Sequence, residues 1–152
     1  MNSAASLLQP DRVRCQESVR SKKRALEVLA TLLADSVDGM SGNEIFEALN
    51  QRERLGSTGL GHGMALPHGR VDGLRQPLAA CLTLAQPVDF DAPDRQRVDV
   101  LYALLVPREC SREHLQILAA LAEMFNDSGL REDLRQQSDG DELINVLAQW
   151  SA

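Results

Sequence analysis

The stretch Val98–Pro107, VDVLYALLVP, decides the fold. Apart from Asp99 it is apolar up to Pro107, and it reads as a strand. A strand with apolar side chains on both faces needs cover on both faces, the mark of a central strand in a layered α/β sheet. Pro107, which has no N–H to donate to a ladder, ends it. Just upstream, PLAACLTLA (77–85) reads as a second strand. Its larger residues Leu78, Leu82 and Leu84 share one face, and small Ala79, Cys81 and Ala85 the other. Downstream, SREHLQILAALAEMF (111–125) predicts a helix capped by Ser111, with Leu115, Leu118, Leu121, Ala122 and Phe125 as its inward stripe.

Further out, SKKRALEVLATLLA (21–34) predicts a helix with Leu26, Leu29 and Leu33 at helical spacing. Ser41-Gly-Asn-Glu44 has the pattern of a capping box and opens a helix to about Arg52, with Ile45, Phe46 and Leu49 inward. Ser138-Asp-Gly-Asp141 starts a last helix that turns Leu143, Leu147 and Trp150 inward, and residues 128–137 fit a short helix before it. Helices, then strands, then helices predict one domain of α/β layers around a mixed sheet flanked by helices on both faces.

The chain has 152 residues, 43% of them hydrophobic, enough for a single core. Residues 1–12 read as a loose tail and 13–152 as the domain. A net charge of −6 argues against nucleic acid as the main partner. Six Lys or Arg between Arg12 and Arg24 read as a solvated surface or a protein-docking patch. Cys15, Cys81 and Cys110 are far apart and form no CxxC pair, which suits free thiols in a reducing cytoplasm. The opening MNSAASLLQPDR has no signal-peptide pattern, and no apolar run is long enough to span a membrane.

The chemistry concentrates between 52 and 70. GSTGLGHGM (56–64) places four glycines in nine residues and predicts a loop that takes positive φ or approaches another group closely. MALPHGR follows. Pro67 biases Leu66 toward extended backbone, and Gly69 keeps a side chain off the ring of His68, so the imidazole is presented in a set orientation. A neutral imidazole nitrogen is a nucleophile near pH 7, but a turn histidine bonded to a nearby carbonyl fits the spacing equally. His114 falls at the third position of its helix, where free amides and the dipole favour an anion; a first-turn surface histidine is the plain alternative. Arg52 and Arg54, at a helix end, suit either bidentate phosphate pairing or the helix dipole. Ser57 and Thr58, with Gly59, Gly61 and Gly63, supply hydroxyls and amides that bind an anion or only shape a turn. His62 and His68 are six apart, which fits no common zinc spacing, so no metal is expected. The GxGxG in GLGHG lacks the spacing of a dinucleotide fingerprint, and neither GKS, GKT nor GxSxG occurs.

The run from Arg52 to Arg70, with its GSTGLGHGMALPH core, resembles the active-site segment of the phosphotransferase-system (PTS) IIA domains of the mannitol/fructose type, and is most similar to the nitrogen-regulatory members. SKKRALEVLATL, FDAPDRQRVDVLYALLVP and HLQILAALAEMF agree in order, so the resemblance covers about 12–150. It implies a five-stranded mixed sheet flanked by helices. It implies that His68 accepts a phosphoryl group on Nε2 from a small histidine phosphocarrier protein of the HPr/NPr type, supported by His114 and Arg52, with no metal or cofactor. His62 departs from the asparagine expected there. Three functions follow as expectations. The first is a stoichiometric phosphoryl-accepting regulator in the cytoplasm, acting on targets such as potassium-transport or sensor-kinase components, with neither nucleic-acid binding nor membrane insertion. The second is a sugar-specific IIA that passes phosphate to a IIB domain. The third is a binding module that is never phosphorylated.

Overall fold

A computed structural model describes residues 3–109 and 111–151; Cys110 lies outside the described residues. The helices are α1 (Ser3–Ser6), α2 (Lys22–Ala34), α3 (Gly42–Arg54), α4 (Arg112–Met124), α5 (Ser128–Gln136) and α6 (Gly140–Gln149). The strands are β1 (Val13–Glu17), β2 (Gly59–Gly61), β3 (Met64–Ala65), β4 (His68–Val71), β5 (Leu78–Val88) and β6 (Val98–Pro107). They form one mixed sheet of six strands in the order β1-β5-β6-β3-β2, with β4 also on β6. The sixth strand arises because the glycine stretch, expected as a loop, pairs with itself: β2 and β3 form a short antiparallel hairpin.

β6 is central, as its composition requires. β5 runs antiparallel along one edge, from Leu78 opposite Leu105 to Val88 opposite Val98. β3 and β4 lie end to end along the other, both parallel, with Met64 opposite Val100 and His68 opposite Leu104. Side chains alternate between two cores. Leu101, Ala103 and Leu105 pack with α2 and α3 residues such as Leu29, Leu33, Ile45 and Leu49. Val100, Tyr102, Leu104 and Val106 pack with Leu121, Phe125, Leu134, Leu143 and Leu147 of the α4–α6 layer. On β5, Leu82 and Leu84 join the first core while Ala79 and Cys81 join the second, as the strand period requires.

Three expectations are corrected. Residues 3–12 are not a loose tail: Ala4, Ala5 and Leu8 are buried in the second core, and Tyr102 Oη donates to Ala4 O at 2.8 Å. Arg12 is not part of a solvated basic face. It is 5% exposed, donating to Ala79 O (2.9 Å), Leu7 O (3.0 Å) and Ser36 Oγ (3.1 Å). Burial lowers its pKa, against the pull of the neighbouring Asp11 carboxylate. On α4, Leu115 is exposed rather than inward; Ile117, Leu118, Leu121, Met124 and Phe125 carry the packing. Phe125, inward as expected, packs on Tyr102 at a ring-centroid distance of 5.3 Å.

The caps also redistribute. Ser41 Oγ accepts the Glu44 N–H at 3.2 Å. The two-way capping box forms at α4, where Ser111 Oγ accepts the His114 N–H and His114 Nδ1 accepts the Ser111 N–H at 3.2 Å.

Candidate functional site

β4 brings His68 to the surface beside the end of α3. Gly69 makes this possible: a Cβ there would sit 3.0 Å from the backbone carbon and oxygen of Ala48. Its role is thus close helix–strand approach, not clearance over the ring. The result is a cleft of about 370 Å³ between α3 and α4. Arg52 and Leu55 line it from the α3 end, His68 and Arg70 from β4, and Leu115 and Leu118 from α4. Arg108, just past β6, completes the wall.

The orientation of His68 follows from one hydrogen bond. Its Nδ1 lies 2.9 Å from Leu66 O, and a carbonyl can only accept, so Nδ1 carries the proton of the neutral ring. Nε2 is left with its lone pair. Burial holds the imidazole pKa below the usual 6.5, and Arg52 and Arg70 push it the same way, against the Leu66 bond and Glu53. The nucleophilic form therefore persists to lower pH than in a free histidine. An NMR titration of the ring protons is expected to give a midpoint below 6.5, moving up toward 6.5 in Arg52→Gln; a midpoint at or above 6.5 in the native chain would contradict the burial. The folded ring binds its proton less readily than the unfolded chain. Its contribution to stability is thus complete above 6.5 and is lost as pH falls below it.

Arg52 serves both readings of its position. Its Nη1 donates to Gly56 O at 2.8 Å, satisfying a carbonyl just past the helix, and it lines the cleft beside His68. Arg54 lies in the same last turn, exposed and outside the cleft lining. His114 is half-buried in the first turn of α4, one residue before Leu115, and is not itself among the residues that line the cleft. Since Nδ1 accepts from Ser111, its neutral ring carries the proton on Nε2 and can only donate there.

The glycine hairpin faces elsewhere. The anion held by its first amides is the chain's own Glu53 carboxylate, 7% exposed. Thr58 N donates to Glu53 Oε1 and Oε2 at 3.2 and 3.1 Å, Thr58 Oγ1 donates to Oε2, and Lys22 Nζ lies 2.9 Å from Oε1. Gly59 N is taken by Ser57 Oγ at 3.1 Å, and Ser57 Oγ donates to Phe90 O at 3.0 Å. Gly61 and Gly63 hold positive φ on either side of the hairpin turn. A Cβ on Gly63 would meet the Arg135 guanidinium. His62 also has positive φ, 57°, a region that asparagine enters more readily than most residues and histidine also tolerates. Its N–H donates to Asp94 Oδ2 at 2.8 Å and its carbonyl accepts from Arg135 Nη2 at 2.6 Å, while the ring is exposed.

Arg70 and Arg108 were missed from the sequence. Arg70 carried a signal, since residues i and i+2 of a strand share a face. Arg108 carried none, because its place depends on the β4–β6 register.

Two-faced cover of a mixed sheet, with a neutral imidazole raised among arginines at its edge, places the chain in a defined class. It belongs to the family described as phosphoenolpyruvate-dependent sugar phosphotransferase system, EIIA 2, matched over residues 6–150. It is 43% identical over 127 residues to a nitrogen regulatory protein of Pseudomonas aeruginosa, covering 84% of this chain and 82% of that one. The crystal structure of nitrogen regulatory protein IIA-Ntr from Neisseria meningitidis superposes with a TM-score of 0.88 at 39% identity, over 94% of this chain and 97% of that one. The fold extends to the mannitol IIA of Escherichia coli, with a TM-score of 0.76 at 22% identity over 92% and 98% of the two chains. Among the described residues, no helix is long and apolar enough to cross a membrane.

Proposed function

We propose that His68 accepts a phosphoryl group on Nε2 from a histidine phosphocarrier protein, and that the loaded and unloaded forms bind different regulatory partners. The observation that carries this reading is the Nδ1 bond to Leu66 O, which leaves Nε2 unprotonated in a cleft lined by arginines. The donor's P–N bond breaks as the Nε2–P bond forms, and the electron pair of the broken bond returns to the donor imidazole. The Nδ1 proton stays on His68, and Leu66 O accommodates the positive charge the ring acquires. Such a transfer is loose and in-line, so positioning and charge stabilisation do most of the catalysis. Arg52 stabilises the equatorial oxygens, and His114 assists by donating from Nε2. The nitrogen-regulatory names of relatives at 43% and 39% identity support a regulatory role. The family description, which names a sugar system, supports onward transfer to a IIB domain as the second reading.

The test is incubation with phosphoenolpyruvate, enzyme I and a histidine carrier, followed by intact mass measurement. One acid-labile phosphoryl group is expected. No gain with any carrier would leave a binding module. A phosphoryl group that moves on to a IIB domain would favour the sugar carrier over the regulator.

A further inference from the structure

We propose that Arg108 is a second phosphoryl-binding guanidinium of this cleft, held aside by Asp72 until His68 is loaded. The proposal rests on His68 being the acceptor. Arg108 follows β6 directly, and its N–H donates to Val71 O at 3.0 Å, continuing the β4–β6 ladder by one step. That register sets it beside Asp72, whose Oδ1 accepts from Arg108 Nε at 2.8 Å. Arg108 also lines the His68 cleft, while a neighbouring groove is lined by Glu44, Glu47 and Asp72, with Arg70 reaching both as Arg108 does. The guanidinium therefore stands on the divide between three carboxylates and the acceptor.

The existing pair is weakly held. Its side chains are 62% and 79% exposed, and an exposed ion pair loses most of its Coulomb energy to water and salt. A phosphoryl group on His68 carries close to two negative charges and three acceptor oxygens in a half-buried cleft. Guanidinium–phosphate bonds there are charge-assisted and suit bidentate geometry. Loading His68 thus draws Arg108 across the divide and frees Asp72 on the groove side. Phosphorylation then changes two surfaces with one group: the cleft is neutralised and the groove becomes more acidic.

The test compares the phosphoryl-transfer equilibrium between carrier and the full chain for the native protein, Arg108→Gln, Arg108→Lys and Asp72→Asn. Arg108→Gln is expected to move the equilibrium toward the carrier by about tenfold, one charge-assisted contact. Arg108→Lys should fall between it and the native chain. Asp72→Asn should move the equilibrium the opposite way, because the competitor for Arg108 is gone. The Arg108 15Nε NMR signal should shift on loading. A native equilibrium in Arg108→Gln, or a shift in the same direction in Asp72→Asn, would mean that the pair is only structural and would overturn the proposal. Failure of the native chain to load at all would instead remove the acceptor reading beneath it.

Discussion

His68→Ala is expected to eliminate phosphoryl acceptance, lowering transfer from the carrier by at least about a thousandfold, while the protein remains folded. The size of the effect follows from what is removed. Arg52 and Arg70 can attract and orient a phosphoryl group, but neither guanidinium offers a lone pair at neutral pH. The other histidines offer no substitute. His62 is on the hairpin, away from the cleft lining, and the Nδ1 of His114 is occupied by the Ser111 N–H. The structural cost is small by comparison: a half-buried ring and one hydrogen bond to Leu66 O, about 1–2 kcal/mol. Intact mass after incubation with the charged carrier, alongside a thermal melt, separates the two effects. A variant that still gains a phosphoryl group would move the acceptor elsewhere.

Glu53→Ala is expected to destabilise the fold by about 3 kcal/mol, the largest effect predicted for a residue that does not line the cleft. Its carboxylate accepts from both the amide and hydroxyl of Thr58 and pairs with Lys22. Lys22 in turn lies 3.3 Å from Phe90 O and 4.6 Å from the centre of the Phe90 ring. One side chain thus joins the end of α3, the start of the glycine hairpin and the 89–91 loop to the start of α2. Removing it leaves a buried amide and hydroxyl without their acceptor and a part-buried ammonium without its nearest counter-charge. Denaturant unfolding measures the loss, and Glu53→Gln should recover part of it by still accepting from Thr58. A loss below about 1 kcal/mol would show that the network contributes little.

The layered architecture was legible because β6 states its environment locally. VDVLYALLVP, apolar without a break from Val100 to Pro107, has no polar face there to give to water, and the alternation of Leu101, Ala103 and Leu105 against Tyr102, Leu104 and Val106 divides it between two cores. His68 and Arg52 were legible through their proline, glycine and helix-end neighbours. What escaped depends on contacts distant in sequence. Glu53 sits between two arginines and reads as part of a solvated helix end until Lys22 and Thr58 close over it. Arg108 follows a strand-ending proline, and only the pairing of Val71 with Pro107 sets it beside Asp72 and the cleft. Leu115 satisfies the helical period as well as Leu118 does. Leu118 packs on the second core and Leu115 is exposed, and no local pattern distinguishes them.

The buried Arg12 has a consequence for how the molecule comes apart. Its guanidinium fastens the segment before β1 to Ala79 on β5 and to Ser36 after α2, while Ala79 N–H donates back to Leu7 O at 3.2 Å. Detaching residues 3–12 would break the Arg12 bonds to Ala79 O and Ser36 Oγ and uncover one edge of the second core at the same time. The segment therefore opens only with its surroundings, as part of one cooperative unit, and solvent exchange at the Ala79 amide reports on the opening of both.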